Sequence, residues 1–280
     1  MRLLILTSHD HVYANFLLKG LIHEYGDAIV GIVESEVLFP NKSFTEALKK
    51  YLKSAGLWYV AAQGIKQKYF KYRVTLNSLF KRKNTSGIFY SYQRLAAKHN
   101  IPILSSEDVN SAKFIRRTRE LKPTLIASIL FNQILKSELL ELPDWGSINI
   151  HPALLPAYRG VSPTFWVLAN SETRTGVTIH SVDEGIDTGH VIARKEIEIL
   201  TEDSEHTLYM RCCREGLPLL IESINEIQKT EKVEERVDPR FNTTDINSSY
   251  FSLPTHEAVR RYRKSGRKFF RFCEFTSGEF

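Results

Sequence analysis

The stretch that most constrains the fold is Thr124-Leu-Ile-Ala-Ser-Ile-Leu130. It is bounded by Lys122-Pro123 on one side and Asn132-Gln133 on the other, too short a span for a helix of ordinary length. Its apolar residues do not alternate with charged ones, so neither face meets water. A strand buried on both faces belongs to a parallel sheet with helices packed above and below it. The start of the chain follows the same pattern. Arg2 to Thr7 reads as a strand, Tyr13 to Tyr25 as a helix, and Ala28-Ile-Val-Gly-Ile-Val33 as a second strand. A β-α-β opening with a buried central strand defines an α/β chain with an open, mostly parallel sheet and helices on both faces.

Ser91 to His99 and Ser111 to Leu121 read as helices, with Ile101-Pro-Ile-Leu104 as a short strand between them. Phe131-Asn-Gln-Ile-Leu135 follows the central strand at its carboxyl end, where open α/β sheets bind ligands. The loop after the first strand, Thr7-Ser-His-Asp-His-Val12, has no G-x-G-x-x-G pattern, so a dinucleotide fingerprint is missing. His9, Asp10 and His11 are adjacent in a loop and read as solvated or substrate-facing side chains; no metal is expected.

Chemistry concentrates further along. In Ser147-Ile-Asn-Ile-His151 the period-two geometry of a strand puts Asn149 and His151 on one face and Ile148 and Ile150 on the other. Pro152 and Pro156 end the strand and stiffen the loop that leads to Tyr158-Arg-Gly160. Val177 to Val182 is another strand and runs into the turn-rich Asp183-Glu-Gly-Ile-Asp-Thr-Gly189. An amide, an imidazole and a carboxylate at strand ends form an acyl-transfer set: an oxyanion donor, a proton acceptor and a group that orients the imidazole. Asp183 and Asp187 both compete for the carboxylate role. His180, inside a strand, reads as structural.

Asn-Ile-His-Pro-x-Leu-Leu-Pro-x-Tyr-Arg-Gly followed by Asp-x-Gly-x-Asp-x-Gly-x-Ile resembles the formyltransferases that use 10-formyltetrahydrofolate. The likeness is dense from Pro123 to Ile192 and weaker over Met1 to Glu34. It implies a Rossmann-like catalytic domain over residues 1–230, with 10-formyltetrahydrofolate as co-substrate and a primary amine as acceptor. The family carries catalytic Asn, His and Asp at the positions of Asn149, His151 and Asp187, and favours Asp187 over Asp183. It further implies folate contacts around Gln133, Ile134 and Leu135 and in the Asp183–Gly185 turn, with Tyr158 and Arg159 toward the acceptor. The loop after the first strand lacks the phosphate cradle of the ribonucleotide transformylases.

The formal charge of +6 hides an asymmetry. Residues 47–106 contain no Asp or Glu and twelve of the 38 basic residues, leaving 26 against 32 acids elsewhere, a formal −6. This segment lies within a helical insertion of about residues 35–92. There Phe44 to Ala55 and Leu57 to Phe80 mix lysines with Trp58, Tyr59, Tyr69, Phe70 and Tyr72. Such a stretch reads first as a lid or homodimer element with a solvated basic face, then as a segment for peripheral contact with an anionic membrane, with nucleic acid as a third use of the same charge. Ser204 to Lys229 is a long amphipathic helix whose core positions are Leu208, Cys212, Leu219 and Ile227. Residues 231–280 form a short basic appendage, with a helix capped by Thr255 and seven cations from Arg260 to Arg271.

The chain starts directly in a strand, has no apolar run of membrane-spanning length, and carries three cysteines without metal-ligand spacing. A cytoplasmic location is expected, at most peripheral to the membrane's inner face. The expected acceptor is an amine on a nucleotide- or lipid-linked amino sugar. Initiator tRNA is the second candidate, disfavoured because the tail is short for a barrel domain. Hydrolysis of formyl folate is discounted because nothing precedes the first strand, and a catalytically silent folate-binding protein is the non-enzyme alternative.

Overall fold

A computed structural model of the chain describes residues 1–9, 11–35, 43–79, 91–233 and 247–275. Seven strands form one sheet: β1 (Leu3–Ser8), β2 (Ile29–Ser35), β3 (Ile103–Ser106), β4 (Leu125–Ile129), β5 (Gly146–His151), β7 (Arg174–Ser181) and β8 (Val191–Glu198). Their order is β3-β2-β1-β4-β5-β7-β8. The first five are parallel, and β7 and β8 are added antiparallel, with β8 on the edge. Alternation along the central strands divides the core in two. Leu3, Ile5, Leu125, Ala127, Ile148 and Ile150 face one cluster, while Leu4, Leu6 and Ile126 face the other. The open, mostly parallel, Rossmann-like sheet with both faces covered is the one expected from the apolar run at 124–130.

Helix α1 (Ala14–Tyr25), α7 (Pro163–Ala169) and α8 (Glu205–Thr230) pack on the larger cluster. The α5 helix (Ala112–Leu121) and the short α6 (Ser137–Leu140) cover the other face through Phe114 and Leu139. Along α8, Leu208, Cys212 and Ile227 are buried as expected, but Leu219 is only partly so. Leu220 and Ile224 take its place, because four-residue steps from Cys212 reach Gly216, Leu220 and Ile224.

The insertion supplies α2 (Phe44–Ala55) and α3 (Leu57–Leu79), and α4 (Tyr92–Lys98) leads back to the sheet. The α3 helix is fastened by its inner side. Tyr59 and Phe70 are buried in the main core, and Tyr59 meets Phe165 and Phe269 edge-on. Lys66 is buried too, with its Nζ 2.9 Å from Glu205 in the first turn of α8. The expected linker with short strands at 231–247 falls mainly on residues 234–246, outside the described residues. Beyond it, β9 (Tyr250–Phe251) pairs in parallel with β6 (Arg159–Gly160), and α9 (His256–Lys264) packs on α7 and α2. Thr255 caps α9 as expected, accepting from the Ala258 N–H at 3.2 Å. Among the described residues no helix is long and apolar enough to cross a membrane.

Candidate active site

The site forms where β5 meets β7. Antiparallel pairing sets Asn149 directly opposite His180, and Ile150 opposite Ile179. Both isoleucines point into the main core, so Asn149, His151 and His180 share the other face. The loop after β7 folds back and places Asp187 among them. Asp187 adopts a left-handed backbone (φ 51°), which Asp tolerates better than most residues.

Four side chains make up the cluster. Asp187 Oδ2 accepts the Gly160 N–H at 2.8 Å and lies 3.5 Å from His151 Nδ1. Its Oδ1 lies 3.5 Å from Asn149 Nδ2 and 3.6 Å from His180 Nε2. The His151 Nε2–H donates to the Tyr158 carbonyl at 2.9 Å, which leaves Nδ1 as the ring nitrogen facing Asp187. The His180 Nδ1–H donates to the Ser181 carbonyl at 2.7 Å, so its Nε2 accepts from Asn149 Nδ2 at 3.0 Å. One Asn149 N–H is therefore committed to His180. The other makes only a long contact with Asp187 and is available to an incoming oxygen.

The electrostatics follow from burial and these partners. Burial opposes ionisation of Asp187. The two imidazoles and the Gly160 amide outweigh it and hold the carboxyl well below the usual carboxylate range. Burial lowers the pKa of His151, and the pull of Asp187 and the Tyr158 carbonyl only partly offsets it. At neutral pH the pair is thus a neutral imidazole beside an ionised carboxylate.

The loop between the two halves is held in place by the tail. Gly160 has φ +99°, and a Cβ there would lie 2.2 Å from the Phe251 carbonyl oxygen. Only glycine lets β6 run this close to β9 while aiming its N–H at Asp187. Tyr158 stacks on Phe251 with ring centroids 5.0 Å apart and donates its hydroxyl to Glu172. What Tyr158 presents to the cluster is its backbone carbonyl. The Arg159 Nε is buried without a hydrogen-bond partner.

The remaining expected residues sit on neighbouring loops. Gln133 is buried as a strut, donating to Ser35 Oγ and the Glu107 carbonyl and accepting from the Val109 N–H. Leu135 lies in the second core cluster, and Ile134 is half exposed. Asp183 closes its own turn, accepting from the Gly185 N–H and the Thr188 hydroxyl. The Ser137 N–H donates to Glu184 at 2.9 Å, tying the loop after β4 to the 183–189 loop beside the cluster. His9 bonds Glu34 at 2.5 Å; His11 is partly buried, with its Nδ1 out of solvent, beside Tyr13 and Tyr209; Asp10 lies outside the described residues. His180, which reads as structural in the sequence, belongs to the cluster. The only signal for it was its strand parity just ahead of the Asp-rich loop.

Fold and cluster together define an α/β group-transfer architecture, with an amide, an imidazole and a carboxylate converging where the parallel strands of the sheet meet its antiparallel pair. The chain belongs to the formyl transferase family, whose model matches residues 53–224. It is 36% identical over 178 residues to the bifunctional polymyxin resistance protein ArnA of Wigglesworthia glossinidia brevipalpis, covering 64% of this chain and 25% of that protein. It is 37% identical over 158 residues to the methionyl-tRNA formyltransferase of Halothermothrix orenii, covering 56% of this chain and 48% of the relative. The chain thus spans about half of the one relative's length and a quarter of the other's. Among solved structures, WlaRD, a sugar 3N-formyl transferase in the presence of dTDP and 5-N-formyl-THF, has the same fold. Its TM-score is 0.56 at 20% identity, covering 98% of this chain and 81% of that one.

Proposed function

We propose that the protein transfers a formyl group from 10-formyltetrahydrofolate to a primary amine, with Asn149, His151 and Asp187 as the catalytic set. The observation that carries this reading is the convergence of the three side chains around an ionised Asp187. The amine nitrogen attacks the formyl carbon, the C–N bond to the folate breaks, and the proton lost by the amine ends on the folate nitrogen. The second Asn149 N–H donates to the oxyanion that develops on the formyl oxygen. His151, neutral because it is buried, takes the amine proton at Nδ1, where the ionised Asp187 carboxylate stabilises the resulting imidazolium. The same proton then returns to the leaving nitrogen. The neighbouring loops at Gln133–Leu135 and Asp183–Gly185 are where the folate would sit, and Arg159 is the candidate contact for the acceptor.

For the acceptor, an amine on a nucleotide- or lipid-linked amino sugar is the favoured reading. The support is one of extent. WlaRD, a sugar 3N-formyl transferase, matches the fold over 98% of this chain, and phosphoribosylglycinamide formyltransferase of Anaplasma phagocytophilum matches it over 91%, so this support is for a small amine acceptor first and for the sugar second. Initiator tRNA is the second reading, favoured by the higher identity of the methionyl-tRNA formyltransferase relative. The experiment offers purified protein 10-formyltetrahydrofolate with nucleotide-linked amino sugars and, separately, charged initiator tRNA, and follows acceptor-dependent release of tetrahydrofolate. Release with an amino sugar only is the expected result. Release with tRNA only would replace the first acceptor by the second.

A further inference from the structure

We infer that the outer face of α3, joined by the tail at Trp58, is a docking surface for an anionic lipid bilayer. The inference stands apart from the formyl-transfer reading. At 100° per residue, Leu57, Trp58, Ile65, Lys68, Lys71 and Tyr72 fall on one arc about 140° wide. Tyr59, Lys66 and Phe70 occupy the opposite pole and are buried. The usual polarity of a surface helix is partly reversed. A lysine points inward to Glu205, while Leu57 is 74% exposed, Ile65 51% and Tyr72 58%.

The tail extends this arc. Arg263 sits over the Trp58 ring at 4.6 Å, and Trp58 meets Phe269 at 5.1 Å. Next to them Arg260 and Lys264 are exposed on α9. Phe272, 63% exposed, touches Tyr69 edge-on at 6.0 Å. Two segments far apart in sequence therefore share one surface that is both cationic and apolar.

Three occupants compete for such a surface. Nucleic acid would use the cations and would stack on open aromatic rings, but Arg263 already covers Trp58, and base stacking gives no role to Leu57 or Ile65. A second copy of the chain would place like charges against each other across a two-fold axis, since residues 47–106 carry no acid and the exposed Glu257 of α9 is already paired with Arg261. An anionic bilayer satisfies both characters: the acyl boundary takes Leu57, Ile65 and Tyr72 while lysines meet phosphates.

The test sediments the full chain at low ionic strength with phosphatidylcholine vesicles, with and without phosphatidylglycerol. Binding only to the phosphatidylglycerol vesicles is expected. Lys68→Gln and Lys264→Gln should each weaken it about fivefold. The double variant Leu57→Ser/Ile65→Ser, at wet positions the fold does not need, should weaken it about tenfold with an unchanged circular dichroism spectrum. No binding to phosphatidylglycerol vesicles would overturn the inference, as would equal binding to both kinds. So would tRNA binding, or self-association lost in the double variant, without vesicle binding.

Discussion

Gly160→Ala tests how the tail and the site depend on each other. At φ +99° an L-residue costs about 1–2 kcal/mol in backbone strain. The new Cβ would also lie 2.2 Å from the Phe251 carbonyl, a backbone atom that cannot turn aside. Relief requires β6 and β9 to part, endangering the bonds from Arg159 N–H to the Ser249 carbonyl and from Val161 N–H to the Phe251 carbonyl. At about 0.5–1.5 kcal/mol each, these bring the total to about 2–5 kcal/mol. In a chain of this size that corresponds to a fall in Tm of roughly 10 °C. The same displacement withdraws the Gly160 N–H from Asp187. A charge-assisted bond of about 1.5–3 kcal/mol, lost from the reacting arrangement, lowers kcat/KM by about 10–100-fold. Gly266→Ala is the control: its φ is +76° but nothing lies within 4 Å of the new Cβ, so only the strain of about 1–2 kcal/mol is expected and the rate should hold. Thermal unfolding and steady-state kinetics of both variants decide the matter. If Gly160→Ala is no less stable and no slower than Gly266→Ala, the coupling of the β6–β9 ladder to the cluster is wrong.

Three further outcomes are expected. Lys66→Met should cost about 3–5 kcal/mol by leaving Glu205 buried without its cation, and Lys66→Met/Glu205→Leu should recover most of it in denaturant titrations; a double variant as weak as the single one contradicts this. His180→Leu should lower kcat about tenfold by freeing the Asn149 amide, and His180→Gln, which still offers an acceptor, should restore most of it; equal rates for both would make His180 a bystander. Burial lowers the pKa of His151, and takes those of His11 to about 4 and His206 to about 3. Below pH 6.5 the unfolded chain therefore binds more protons than the folded one. These groups should leave stability flat above about pH 7 and erode it as pH falls below about 6.5, by up to about 1.4 kcal/mol per pH unit for each. Stability measured from pH 7.5 to 4.5 should fall less steeply in His11→Phe; an unchanged slope would count against its lowered pKa in the folded chain.

Much of the sheet was legible in the sequence because buried parallel strands write themselves as short apolar runs, as Leu3–Leu6 and Leu125–Ile129 do. Strand parity likewise puts Asn149 and His151 on one face from the sequence alone. Contacts that depend on long-range pairing were not legible. His180 reaches Asn149 only because β7 runs antiparallel to β5, and no local pattern states that direction. Residues 159–160 and 250–251 are too short to read as strands, and their ladder exists only because the tail returns over the loop after β5. Lys66 reads as one more surface cation in a basic helix; its burial follows from Glu205, far away in the chain.

The most direct test of the central claim is single-turnover transfer of labelled formyl from 10-formyltetrahydrofolate to a nucleotide-linked amino sugar, comparing the natural chain with Asn149→Ala. The account predicts a labelled formamide product, with the variant slower by about 10²–10³-fold while still binding folate. Equal rates for the two proteins, or no labelled product from the natural chain with any amine acceptor, would contradict it.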